Sequence, residues 1–388
     1  MSKKFWYFSF YFFLFATYPA VFSFIVLYYQ ELGFTGARIG VLTGITPLVT
    51  FFSAPLWTGF ADATHRHRLM MSLVILLALI TLLFFPLLHA FLPVLLGAVL
   101  LYAFFSPITP FADSATMFML SGEKEYYGRI RLGGTIGYGI VAPVAGILVQ
   151  HYGLKIAFWG SAMILVVALI ISQKLTHGQI KTTGSAGGRL RMLLSNPRWL
   201  LFSILAFAGG LGFATYNNFL FPYMRELGAN ETSMGLALMI GTFTEIPTLF
   251  FGNRLIKYFK AYGLLMLSMV VTGVRMLLFA AAGTPALILA IQLLNGLTIP
   301  AMWIAGVAYA DQNAPPGMSA TVQGVFNAMV FGVGSAMGGF FGGLLLDSIG
   351  GRGLYLVFGL VVLTILAAVW SIHRRLPIDQ DAARSRLD

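Results

Sequence analysis

Residues 113–138 read Asp113-SATMFML, then SGEKEYY, then Gly128-Arg129-Ile130-Arg131-LGGTIG-Tyr138. The residues before this stretch (LPVLLGAVLLYAFFSPITPF) and after it (GIVAPVAGILV) are almost wholly apolar. Two lipid-spanning arms joined by a short polar hairpin are therefore expected. A carboxylate inside such an arm is costly unless it faces a cavity or a partner charge, which makes Asp113 a functional candidate. Arg131, on the next arm, is the expected partner.

The rest of the chain fits that setting. Of its 388 residues 58% are hydrophobic and only 10% charged, against about 25% charged in a soluble domain. Mean hydropathy is +0.85. The sequence has no cysteine, so disulfides, cysteine-bound zinc and iron–sulfur centres are excluded. Its six histidines fall at helix ends or in loops, without metal spacing. No metal, cofactor or P-loop is expected, and no enzyme: no nucleophile or ligand set lies within the apolar arms.

Apolar windows occur at 5–29, 36–60, 69–88, 91–120, 129–150, 154–173, 199–223, 232–251, 262–282, 284–310, 319–346 and 353–372. At about 20 residues per crossing, these are twelve transmembrane helices. The first follows MSKK without a small-residue cleavage site and reads as a retained helix. Placing the N-terminus in the cytoplasm puts 19 of the 24 Lys/Arg on that side, as the positive-inside rule requires. Both termini are then cytoplasmic and the protein a multi-pass protein of the cytoplasmic (inner) membrane. The net charge of +11 becomes an orientation signal, and no nucleic-acid partner is expected.

The longest polar stretch, Lys174 to Arg198, is rich in Gly, Ser and Thr and reads as a cytoplasmic linker. It separates an N-terminal six-helix bundle (1–173) from a C-terminal one (199–373), which a cytoplasmic tail follows (374–388). The halves repeat. Tyr28-Tyr29-Gln30-Glu31-Leu32-Gly33 returns 195 residues later as Tyr223-Met224-Arg225-Glu226-Leu227-Gly228, and Gly40 and Gly235 keep that offset. Gly146-ILVQHY-Gly153 returns 197 residues later as Gly343-LLLDSI-Gly350. Parallel six-helix repeats are a transporter architecture.

The loop Gly59-Phe60-Ala61-Asp62-Ala63-Thr64-His65-Arg66-His67-Arg68 places an acid before a basic cluster at a helix end. It resembles the loop signature of the major facilitator superfamily, with His65 where a glycine is usual and Ala63 where a basic residue is usual. The resemblance implies that Asp62, Arg66 and Arg68 form a gating loop, closing the cytoplasmic side through charge pairing. The symmetric loop Gly252-Asn253-Arg254-LIKYFK lacks the acid.

Within that superfamily the chain resembles the branch of lactose permease, phenylpropionate permease and nucleoside:proton symporters. Asp113, the run Tyr127 to Arg131 and Tyr138 stand at the branch's spacing. Glu245-Ile246-Pro247 looks like the span-eight motif of the phenylpropionate group, and Val274-Arg275 matches the buried arginine of span nine. Gln292-LLN-Gly296-LT-Ile299-Pro300 aligns with the segment carrying the coupling histidine and glutamate of lactose permease; Asn295 and Thr298 occupy those positions here. In span seven Asn217 and Leu220 replace two aspartates. The resemblance implies solute contacts from Asp113, Arg131, Tyr138, Asn217 and Asn295. Proton coupling then falls to Glu245 with Arg275, or to Asp113.

Two buried acid–arginine pairs are thus expected, Asp113/Arg131 and Glu245/Arg275. Contact with arginine favours the charged carboxylate, and desolvation without a partner favours the neutral one. A cycle that makes and breaks such a pair would move a proton; a permanent pair would only fasten helices. Rings at Tyr11, Tyr18, Tyr138, Tyr216 and Trp303 are candidates for a cavity wall. The glycines of spans five and eleven are expected as close-packing faces where the halves rock. The expected protein is a monomeric secondary transporter in a lipid bilayer, moving a small polar organic solute (sugar, nucleoside or aromatic acid) by alternating access with proton symport. The rivals are an exporter or antiporter, a uniporter, and a non-transporting sensor or lipid-handling protein.

Overall fold

The computed structural model describes residues 3–120, 123–176, 197–314 and 318–375. Residues 177–196 of the expected linker and 376–388 of the tail lie outside them. Ten helical stretches each long and apolar enough for one crossing run Lys3–Glu31, Gly36–Thr64, His67–Leu87, Phe91–Met119, Tyr127–Tyr152, Lys155–Ser172, Pro197–Glu226, Glu231–Phe250, Gly252–Ala281 and Pro285–Asn313. An eleventh, Thr321–Arg375, has 55 residues, enough for two crossings. It reverses at Gly350, whose φ of 70° breaks the helix. These are spans one to twelve.

The repeat is visible in the backbone. Positive φ occurs among the described residues at Gly33 and Gly228, at His65 and Lys260, and at Gly153 and Gly350. The first two pairs are 195 residues apart and the third 197. Glycine adopts this left-handed region without cost, whereas other residues are rare there. His65, φ 55°, thus holds the conformation that the usual glycine of its loop would supply.

Several spans are not continuous α-helices. Span one breaks at residues 22–24, between helices Lys3–Val21 and Ile25–Glu31. Span four breaks at Ser106–Pro107, because proline offers no N–H and its ring crowds the preceding turn. Span ten carries a 3-10 stretch, Gln292–Leu297, and span eleven a π stretch, Ala328–Gly334. In membranes such irregular backbone is tolerated where it is buried in protein or lines a cavity.

Glycine sets how closely the spans approach. A Cβ on Gly137 of span five would run into the carbonyl of Phe12 in span one, and one on Gly133 into that of Phe8. Further along span five, Gly146 abuts the backbone of Glu231 in span eight. Span eleven is two-faced in the same way: Gly338 packs on span seven, while Gly339 and Gly343 meet the backbone of span two. The glycine faces therefore serve both packing within a half and contact between halves.

At the end of the molecule opposite the termini, hydrogen bonds join the halves. The Gly36 amide donates to Asp347 Oδ2 (3.0 Å), the Thr43 hydroxyl to the Gly339 carbonyl (2.9 Å), and the Thr232 hydroxyl to Gln150 Oε1 (2.6 Å). Gln150 and Asp347 hold the same place in the Gly-x6-Gly repeat. Each reaches the first turn of a helix in the other half, where backbone N–H groups lack intrahelical partners.

Candidate functional site

Two polar clusters lie inside the bundle. The first is built from spans one, four and five. Asp113 sits on the helix Ile108–Met119 that follows the span-four break, and Arg131 sits one turn after Tyr127 at the start of span five. Arg131 Nη1 donates to Asp113 Oδ1 at 2.7 Å and to the Tyr127 hydroxyl at 3.2 Å. The Tyr11 hydroxyl donates to the same Asp113 oxygen at 2.6 Å, and the Thr116 hydroxyl donates to Tyr11 at 3.3 Å. The guanidinium also lies 5.8 Å from the Tyr11 ring centre and 5.5 Å from that of Phe15. Gly133 and Gly137 hold span one against span five and so bring Tyr11 within reach. The pair is not sealed: the side chains of Asp113 and Arg131 are 33% and 39% exposed. The expected ion pair is formed and keeps an accessible face.

Beside it, Phe15, Tyr18, Phe22, Tyr102 and Phe105 make a chain of ring contacts with centroids 5.0–5.2 Å apart. Tyr18 lies within electrostatic range of both Asp113 and Arg131. Tyr138, expected with them, stands two turns beyond Arg131, within range of Tyr216 and Glu245 in the other half. The structure thus brings Tyr11 to the ion pair and sets Tyr138 between the two clusters.

The second cluster joins spans seven to ten. Arg275, 4% exposed, donates through Nη1 to Asn295 Oδ1 (2.7 Å) and Thr298 Oγ1 (3.3 Å), and through Nη2 to Gln292 Oε1. Rings of Tyr216 and Phe279 flank it at 4.5 and 5.1 Å. The three acceptors are three residues apart, and side chains at i and i+3 eclipse in a 3-10 helix. The irregular stretch of span ten therefore lines all three up on one arginine. Gly296 lets it press against span eight, since a Cβ there would overlap the Thr244 carbonyl.

Glu245 and Arg275 form no ion pair here. Asn295 stands between them: its Nδ2 donates to Glu245 Oε1 (2.8 Å) and to the Gly241 carbonyl (3.1 Å). The expected direct contact is replaced by a bridge, because the arginine is drawn to the acceptors of span ten. Asn295 is 2% exposed and its hydrogen-bonding groups are engaged within the protein. A cavity of about 10 Å³ borders Arg275, lined by Tyr216, Thr298 and Tyr355 among others, which is room for one water. Arg275 Nε and Gln292 Nε2 have no partner among the described residues. Asn217 is exposed; it lies one turn before Phe221, which meets Phe24 of the first half edge-on at 4.7 Å between ring centres, and so faces the same way.

At the loop, Asp62 Oδ1 lies 3.1 Å from His67 Nε2, within ion-pair distance but without hydrogen-bond alignment. Arg66 is the cap residue of span three. Arg68 donates to the Gln173 backbone carbonyl (2.7 Å) and to Gln173 Oε1 (3.3 Å), fastening span three to the end of span six. The acid thus lies beside His67, which sequence reasoning passed over. Gln292 was also passed over, although its spacing from Asn295 and Thr298 was a usable signal.

Comparison with known proteins decides the family. The model of the MFS_1 like family matches residues 5–357. The chain belongs to that family. It is a multi-pass major facilitator transporter, not an enzyme. It is 26% identical over 366 residues to the "Maltose permease" of Geobacillus stearothermophilus, covering 92% of this chain and 93% of that one. It is 24% identical over 367 residues to the "Probable 3-phenylpropionic acid transporter" of Escherichia coli (strain K12), covering 91% and 93%. The solved structure of the nucleoside transporter NupG superposes with a TM-score of 0.85 at 17% identity, covering 96% of this chain and 99% of that one. That likeness shows that the two chains share one fold.

Proposed function

We propose that this major facilitator is a proton symporter for a small hydroxylated solute, a sugar or nucleoside, with an aromatic acid as the third class. Asp113, Arg131 and Asn217 contact the solute, Tyr138 contacts it between the clusters, and Glu245 carries the proton. One observation supports the reading above others: one half holds a partly exposed acid–arginine pair, and the other an acid that is held off its arginine. The first cluster offers a hydroxylated solute both an acceptor and donors, with rings alongside for its flat face. An acidic solute would meet Asp113 already bound to the cation it needs. The similar proteins are named for maltose, 3-phenylpropionic acid and nucleosides, which fits this range. We place the protein as a monomer in the cytoplasmic membrane with both termini inside, on the charge asymmetry of its loops.

The test uses purified protein in liposomes enclosing a pH dye. Maltose, uridine and 3-phenylpropionate are added in turn to wild type, Glu245→Gln and Asp113→Asn. Internal acidification driven by one of them is expected, lost in Glu245→Gln while exchange of that solute continues. Exchange without any proton movement in wild type would overturn the symport reading.

A further inference from the structure

We propose that Asn295 is a positioning residue for proton coupling, a spacer that keeps Arg275 off Glu245 so that the acid can take up and release a proton. This deepens the assignment of Glu245 as carrier and rests on it. The argument begins with the orientation of the amide. A guanidinium only donates hydrogen bonds, so the oxygen of Asn295 must face Arg275. Its nitrogen then faces Glu245 and the Gly241 carbonyl, which take both hydrogens. Turning the amide over would set donor against donor.

The bridge is indifferent to the charge on Glu245. Oε1 accepts from Asn295 whether the group is a carboxylate or a carboxylic acid, because a carbonyl oxygen also accepts. Oε2 takes no hydrogen bond from the described residues, and Glu245 is only partly buried. The proton therefore adds to and leaves from Oε2, while Oε1 stays pinned. The other titratable groups around Glu245 are Tyr138 of span five, Tyr216 of span seven and Arg275 of span nine. Of these only Arg275 carries a charge that direct contact would impose. Its Nη1 and Nη2 meanwhile donate to neutral oxygens, and ring faces flank it.

The first half shows the alternative. Asp113 and Arg131 touch directly, with nothing between them. Contact with a guanidinium disfavours protonation by about tenfold or more, so a carrier in that arrangement would have to break its pair in every cycle. Asn295 removes that requirement from the second half.

The experiment measures protons moved per solute, from pH-dye and radiolabelled fluxes of maltose or uridine in parallel, using whichever moves in wild type. In Asn295→Ala the arginine is free to reach Glu245, and the ratio falls about tenfold. In Asn295→Gln the amide is kept, with an oxygen for Arg275 and a nitrogen for Glu245, and the ratio stays within twofold (roughly) of wild type. A merely structural residue would show the same ratio in both variants, or lost folding in both, and either result overturns the proposal. An unchanged ratio in Asn295→Ala also overturns it. Glu245→Gln separates the two failures: if it keeps the wild-type ratio, Glu245 is not the carrier, and the reading beneath the proposal falls with it.

Discussion

In the first half Asp113 and Arg131 touch at 2.7 Å; in the second, Glu245 and Arg275 share Asn295 and do not touch. Each pair is an acid and an arginine, and both join neighbouring spans. The difference lies in what surrounds each arginine. Arg131 has a hydroxyl, two rings and an open face, so the carboxylate is its strongest acceptor. Arg275 is enclosed by three neutral oxygens set in line by a 3-10 turn. Charge pairing in a membrane is thus decided by which acceptors a backbone irregularity presents, and one half is left with a paired acid and the other with a separate one.

The comparison can be broken most severely at Arg131. Arg131→Gln leaves Asp113 without its cation, and truncating one partner of such a pair costs about 2–5 kcal/mol when desolvated. Partial exposure places this pair at the low end of that range. Exchange of the transported solute should fall about thirtyfold, measured as counterflow in liposomes. A loss below threefold (roughly) would show that the exposed pair is only a fastening between spans.

Tyr11→Phe is the next test. It removes a hydroxyl that donates to Asp113 at 2.6 Å and leaves the ring in place. Hydrogen bonds to charged groups contribute about 1.5–3 kcal/mol, so solute affinity measured by isothermal calorimetry should weaken about tenfold. Unchanged affinity would mean that Tyr11 only packs.

A third test asks whether the halves also differ at the end opposite the termini. Asp347 and Gln150 hold equivalent repeat positions, and each accepts a hydrogen bond from the other half. The chain has no cysteine, so a single cysteine replacing Asn217 can be labelled with an impermeant maleimide from that end. Asp347→Ala should raise the labelling rate about fivefold, the effect of about 1 kcal/mol on the closed state. Gln150→Ala should do the same; a response to one alone would show that closure rests on a single contact.

The smallest effect is expected at Thr298→Val. This bond to Arg275 is 3.3 Å long, and two shorter acceptors remain. The proton-to-solute ratio should change less than twofold (roughly). A larger change would give Thr298 a share in the coupling that the present geometry assigns to Asn295.

Much of the fold was legible in the sequence. Apolar runs of membrane length can only be helices when no water satisfies their backbone, so the crossings followed from the order of residues alone. The repeat was legible for a related reason. Gly33, Gly228, Gly153 and Gly350 all adopt positive φ, a conformation that restricts which residue can stand there. Asp113 with Arg131 was legible as well, because a charge in an apolar arm needs a partner close by in the hairpin. The departure at His65 was visible in sequence, but that a histidine would take the left-handed turn was not.

What only the tertiary structure decided is who meets whom in the second half. The spacing of Gln292, Asn295 and Thr298 suits one face only if the helix tightens to three residues per turn, and that depends on Gly296 pressing against span eight. An acid and an arginine in the same half were expected to attract. Their separation instead reflects competition among acceptors from different spans, a property of packed neighbours that no single stretch of sequence contains. The cross-half bonds of Gln150 and Asp347 belong to the same class: the repeat sets their positions, and the docking of two bundles gives them partners.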